Sequence, residues 1–166
     1  MCIRDSLPKD TKLIELPGMN LFETFNFKDR LKKFIASEKN FINIFEFFST
    51  FFGGFPELQT FGYRANKLLK NGDYDIIIDN QSISYGMLKL QKQFPLIEII
   101  HHPITKDLKF ELSQNNKFLY QFSRKRWHSF LKMQKKVAPK IKNIITPSHS
   151  SKKGIIDEFN LSLIHI

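Results

Sequence analysis

The sequence predicts an α/β fold, a parallel sheet with flanking helices, and three observations lead there. Short apolar runs at Ile76–Ile78 and Leu96–Ile100 each end abruptly in a polar cluster, Asp79-Asn80-Gln81 after the first and His101-His102-Pro103 after the second. The runs are continuous and do not alternate, which is the pattern of parallel strands buried on both faces. Between them, Tyr85, Leu88 and Phe94 share a helix face with Met87 and Leu90; the segment is about the minimum length for a crossover between parallel strands. Ligands of open α/β sheets sit beyond the carboxyl ends of the strands, and both polar clusters fall there.

Each element follows from a local pattern. Leu13–Leu16 is read as a short strand before the Pro17-Gly18 turn, and the stretch from Asn20 to Asn26 as loop. Phe27–Ala36 has helical spacing, with Phe27, Leu31, Phe34 and Ile35 on one side. From Asn40 to Phe52, Phe41, Phe45 and Phe48 form a stripe widened by Ile44, Phe47 and Phe51. Burial in the core is the first reading of that helix, and a lipid-facing surface the second. Gly53-Gly54 and Pro56 break it and lack the spacing of a phosphate-cradling loop. Leu58–Lys70 is a further helix with Phe61, Ala65, Leu68 and Leu69 inward, closed by Asn71-Gly72.

The central unit follows: strand Tyr74–Ile78, a helix capped by Ser82 or Ser84, and strand Leu96–Ile100. Thr105–Leu112 reads as a short helix or an ordered loop. Phe118–Ala138 is the longest periodic segment. One face carries Leu119, Phe122, Trp127, Phe130, Leu131, Gln134 and Val137, the other six lysines and arginines, and Pro139 stops it. Lys142–Thr146 is the next parallel strand, Pro147–Ser151 its polar end, and Lys152–Phe159 the last helix.

Composition narrows the function classes. The 166 residues suit one domain, and 42% apolar content suffices for a core. A formal charge of +10 favours anionic partners, whether nucleic acid, phosphorylated substrate or anionic lipid. A single cysteine, Cys2, excludes an internal disulfide framework. No run of 18 apolar residues and no secretory signal is present, so the chain reads as cytoplasmic. The basic helix can lie on an anionic membrane surface or simply carry a solvated charge face. Nucleic acid is not expected as a partner, because the aromatics share the apolar face of that helix and form no exposed stacking platform.

Candidate site residues come from the strand ends. Asp79, Asn80 and Gln81 offer hydrogen-bonding groups to a hydroxyl-rich ligand, or satisfy a tight turn. Pro103 confines His102 to an extended conformation. One imidazole is then fixed in direction and its neighbour points the opposite way, free to bind a hydroxyl or phosphate or to move a proton. Serines after the third strand cap a helix N-terminus, where anions are also stabilised. No metal is expected: His128, His149 and His165 stand at unrelated spacing. A paired-carboxylate glycosidase has only Asp79 and Asp107 as loop candidates.

The motifs YDIIIDNQSISYGMLKLQ (Tyr74–Gln91), IIHHPITKDLKFEL (Ile99–Leu112) and RKRWHSFLKMQKKVAPKIKNIITPSHSSKKGIIDEF (Arg124–Phe159) occur in one order. Together they resemble the N-terminal, acceptor-side domain of family 4 glycosyltransferases, continuously from about Phe55 to Asn160. The resemblance implies a Rossmann-like domain, the incomplete N-terminal half of a GT-B enzyme that transfers a sugar from a nucleotide-sugar donor to a sugar or lipid acceptor with retention. It implies that His101 contacts the transferred sugar as the catalytic histidine. Asp79, Asn80, Gln81, His102, Ser148 and Ser151 would line the substrate side. It implies no cofactor.

MCIRDS (residues 1–6) and the end from residue 161 to 166, with its LIHI, fit no motif around them and read as foreign scars around a truncated domain at residues 7–160. The resemblance implies that an opening strand with a Gly-rich loop would precede that domain, and that the donor-binding domain would follow it. The alternative reading is a basic, non-catalytic α/β module that associates peripherally with anionic membranes.

Overall fold

The computed structural model describes residues 8, 11–21, 23, 24 and 26–161; the two proposed terminal scars lie outside these residues, Leu161 excepted. Leu161 is buried and joins the core. Three strands, β1 (Ile77–Asn80), β2 (Leu96–Ile99) and β3 (Ile144–Ile145), pair in parallel in the order β1-β2-β3. The connections are helical, as parallel pairing demands. Helix α4 (Tyr85–Leu90) links β1 to β2; α5 (Ile104–Gln114), α6 (Phe118–Trp127) and α7 (Leu131–Val137) link β2 to β3; α8 (His149–Phe159) follows. Helices α1 (Phe27–Ala36), α2 (Phe41–Phe51) and α3 (Glu57–Leu69) precede the sheet. The α/β class and the parallel sheet are as the sequence predicts.

The core lies on one face of the sheet. Ile77, Leu96, Ile100 and Ile144 pack with Met87, Leu90, Val137, Ile141, Ile155 and Phe159 from α4, α7, α8 and their flanks. The opposite face is open: Ile78 and Ile145 are exposed, and Ile97 and Ile99 are half-buried. The expectation of burial on both faces is therefore corrected. Strand β1 also runs later than predicted, so Asp79 and Asn80 are its last residues and not the turn after it. Residues 13–16 form no strand, and Leu13 and Ile14 are exposed.

Helix α2 reverses the first reading of its stripe. Phe41, Ile44, Phe45, Phe48 and Phe51 face solvent, while Asn43 and Glu46 are buried. The cause is Arg64 on α3, 2.9 Å from both the Glu46 carboxylate and the Asn43 amide oxygen, with a further hydrogen bond to the Pro17 carbonyl. Thr60 donates its hydroxyl to Glu46. A buried charge demands partners, and that demand turns the helix. Phe34 of α1 stacks on Phe47 at 4.3 Å, the main apolar tie of the α1–α2 pair. In α3 only Thr60, Gly62 and Ala65 are buried; Phe61 and Leu68, predicted inward, are exposed.

Gly62 explains why α3 sits so close to α4. A Cβ at Gly62 would overlap the Ser84 hydroxyl, and one at Gly86 would overlap the Gly62 carbonyl oxygen. The two backbones touch because neither residue has a side chain.

The long basic segment is not one helix. A 3-10 turn at His128–Phe130 separates α6 from α7, and Pro139 lies inside a second 3-10 turn, Ala138–Lys140. Phe118, Leu119 and Phe122 on α6 are exposed, whereas Phe130, Leu131, Gln134 and Val137 are buried. The predicted apolar face is core only in its second half.

Candidate functional site

The carboxyl end of β1 closes into a tight loop. Asp79 is 6% exposed and points beneath that loop. Its Oδ2 accepts from the Ser82 amide (3.0 Å), the Ser82 hydroxyl (2.6 Å) and the Ile83 amide (3.3 Å). Gln81 and Ile83 have positive φ, 68° and 45°. For a β-branched residue this is a true outlier, of the kind that costs about 1–3 kcal/mol and persists only where surroundings impose it. Here they do: the Ile83 side chain is in the core, and its amide is held from below. Ser84 starts α4 but makes no capping bond with its side chain; Asp79 serves the loop instead.

The carboxyl end of β2 is built against this loop. Gln81 accepts from the His101 amide (3.0 Å) through Oε1 and donates to the His102 carbonyl (3.3 Å) through Nε2. The His101 ring reaches back, its Nε2 2.7 Å from Asn80 Oδ1. The His102 ring turns the other way, its Nε2 3.0 Å from Asp107 Oδ2 on α5. The two rings therefore diverge, as Pro103 predicts, and both residues are exposed. Gln134 of α7 donates to the Gln81 and Ser82 carbonyls from the far side (3.5 and 3.4 Å).

The serines at the end of β3 behave as caps. Ser148 Oγ accepts from the Ser151 amide at 3.0 Å, and its hydroxyl donates to Ser151 Oγ at 3.0 Å. They share the carboxyl edge of the sheet with His101, since Ile100 donates to Ile145 beside them. No hydrogen bond among the described residues joins them to the β1 loop or to the histidines. Asn80, Gln81, His101 and His102 thus form one assembly, Asp79 lies under it, and Ser148 and Ser151 stand apart at the next strand end.

Glu98 is the residue that sequence reasoning missed. It is 0% exposed on the core face of β2, paired in register with Asp79. Its Oε1 accepts from the Ile83 amide at 3.2 Å, while Oε2 meets no donor among the described residues. Burial, then the neighbouring Asp79 charge, push its carboxyl up to about 10. The available signal was an acid alternating with Leu96 and Ile100 on one strand face.

Among the described residues, no group of three or more His, Cys, Asp or Glu is placed to hold a metal ion. No described helix is long and apolar enough to cross a membrane. A cavity of about 1220 Å³ lies elsewhere, between the segment at Leu16–Asn20, the start of α2 and α3. None of the predicted site residues lines it.

The model of Glycosyltransferase Family 4 matches residues 24–166. The chain belongs to glycosyltransferase family 4. It is 34% identical over 162 residues to the MMP alpha-(1->4)-mannosyltransferase of Mycolicibacterium hassiacum. The match covers 95% of this chain and 38% of the relative, so the chain spans well under half of the protein it resembles. In this family 4 glycosyltransferase chain, the strained loop and the histidine pair occupy the strand ends where an α/β sheet takes its ligands.

Proposed function

We propose that the chain forms the acceptor-side wall of a sugar-transfer cleft in a retaining glycosyltransferase. The donor would be a nucleotide sugar held by a part of the protein outside this chain. The mannosyltransferase named among its relatives makes a mannosyl group the first donor sugar to test. The observation that carries the reading is His101, exposed at the carboxyl edge of a parallel sheet and locked to Asn80.

In this reading His101 contacts a hydroxyl of the transferred sugar and orients it, a contact that strengthens as charge develops at the anomeric carbon. The departing nucleoside diphosphate needs its own charge stabilisation, supplied from the opposite wall. Asn80 sets the His101 ring, Gln81 sets its backbone, and Asp79 sets the loop. His102 is aimed at Asp107 and lies one step further from the sugar. Ser148 and Ser151 contribute the edge of the same wall. A paired-carboxylate hydrolase finds no support, because Asp79 is buried and Asp107 is engaged with His102. The test is sugar transfer by the full-length protein with His101→Ala and His102→Ala. Loss in the first supports the assignment; wild-type transfer in the first with loss in the second moves the role to His102.

One observation favours a second, compatible role at an anionic membrane surface. The exposed phenylalanines of α2 lie beside the lysine-rich α1, where Lys28, Lys32 and Lys33 are exposed or half-exposed. Apolar rings flanked by cations suit the boundary between headgroups and acyl chains.

A further inference from the structure

Two carboxyl groups share the Ile83 amide under the candidate site, and among the described residues no cation pairs with either. Asp79 on β1 and Glu98 on β2 are register partners on the covered face of the sheet. Burial raises the Glu98 carboxyl most; the groups around it are Asp79 and the amides of Ile83 and Gln81. Ile144 of β3 lies alongside in register, and Gln134 of α7 holds the same loop through its carbonyls. Of these, only Asp79 brings a second carboxyl. Two buried carboxylates on one amide disfavour each other's charge, and a hydrogen bond between carboxyls requires a proton on one of them. Asp79 already accepts three donors on Oδ2, while Glu98 Oε2 has none among the described residues.

We propose that Glu98 is a positioning residue of this site: a neutral carboxyl that shares its proton with Asp79 and clamps the loop from Asp79 to Ile83, so that Asn80 and Gln81 are presented to the histidine pair. The inference rests on the reading of the site given above. The route is continuous. Glu98 Oε1 and Asp79 Oδ2 share the Ile83 amide, which pins the residue with φ of 45°. That fixes Gln81, with φ of 68°, whose side chain brackets the backbone of His101 and His102. A raised carboxyl affinity, to about 10, agrees with a proton kept there at neutral pH.

The experiment uses the full-length protein and two readouts that need no turnover. The infrared difference spectrum between wild type and Glu98→Gln at neutral pH is expected to lose one protonated-carboxyl band. The nitrogen resonances of His101 report its tautomer. In Glu98→Gln, whose amide still donates to Asp79 and whose carbonyl still accepts from Ile83, the Nε2-protonated form is expected to persist. In Glu98→Leu, which offers neither, it is expected to be lost. A wild-type spectrum without that band overturns the proposal even if the Leu variant fails to fold; so does a folded Leu variant with an unchanged His101 tautomer. A protein with band and tautomer intact that transfers no sugar counts against the transfer reading and leaves the clamp standing.

Discussion

His101 Nε2 lies 2.7 Å from Asn80 Oδ1, a bond that joins the ends of two strands. With an amide oxygen as partner, Nε2 is the donor of that bond, and the matching neutral tautomer would leave Nδ1 as an acceptor. That acceptor suits a sugar hydroxyl. Replacing His101 by Ala in the full-length protein is expected to lower kcat/KM for transfer on the order of 100-fold, as removal of one oriented polar contact does. The residue is exposed, so the melting temperature is expected to shift by the equivalent of ~0.5 kcal/mol or less. Transfer assays and thermal melts on the same preparation check both halves.

The pH dependence of stability follows from Glu98. Its carboxyl stands at about 10 when folded, against 4.5 ordinarily, so the folded chain holds a proton that the unfolded chain has lost. Stability from this group is full below about 4.5 and falls as pH rises toward about 10, with a slope of at most ~1.4 kcal/mol per pH unit. Glu158 acts on the acid limb. The hydrogen bond from Lys109 is the main influence holding it below its ordinary 4.5, so its contribution is present above that value and is lost as pH falls through the lowered one. Urea unfolding across this range is expected to flatten on the alkaline side in Glu98→Gln.

Gly86→Ala tests the contact between α3 and α4. The added Cβ would strike the Gly62 carbonyl oxygen, which is backbone and cannot swing aside. A loss of about 1–3 kcal/mol is expected, read as a lower denaturant midpoint. Equal stability would mean that the two helices can separate freely.

Arg64→Met leaves Glu46 buried without its cation. Breaking such a pair costs about 3–5 kcal/mol. A smaller loss is expected when Glu46 is changed to Gln in the same chain, because the stranded charge is then gone. A double-mutant cycle in urea gives the difference.

Phe48→Ser combined with Phe52→Ser addresses the membrane surface. Both rings are exposed, Phe52 at 62%, so folding is expected to change little. Sedimentation with anionic vesicles is expected to drop sharply. Undiminished sedimentation would assign any binding to charge alone.

Much of this architecture was legible in the residues. His101-His102-Pro103 announced a strand end with two diverging rings, because proline restricts the residue before it. Helices α1 and α2 begin where apolar spacing places them, at Phe27 and just after Asn40. What stayed hidden was the side each element turns inward. Apolar spacing on α2 could not reveal that Arg64, far along the chain, would draw Asn43 and Glu46 inside. Continuous periodicity from Phe118 onward could not reveal the 3-10 turn at His128–Phe130, since its apolar residues keep helical spacing across the break. The end of an apolar run leaves Asp79 open as a ligand group or as a turn former; the loop amides that claim it appear only in three dimensions. Glu98 gained meaning only once register set it against Asp79.

That pairing bears on how the sheet tells its two sides apart. Strand β2 and its end carry Leu96 and Ile100 on one side, Ile97 and Ile99 on the other. By apolar content the two sides are close to equal, and a slip of one residue would exchange them. Glu98 breaks the tie. Turned outward, it would leave the Ile83 amide and the Asp79 carboxyl without their shared partner. A buried acid with fixed partners would then orient the strand, much as a single buried polar residue selects the alignment of two helices in a coiled coil.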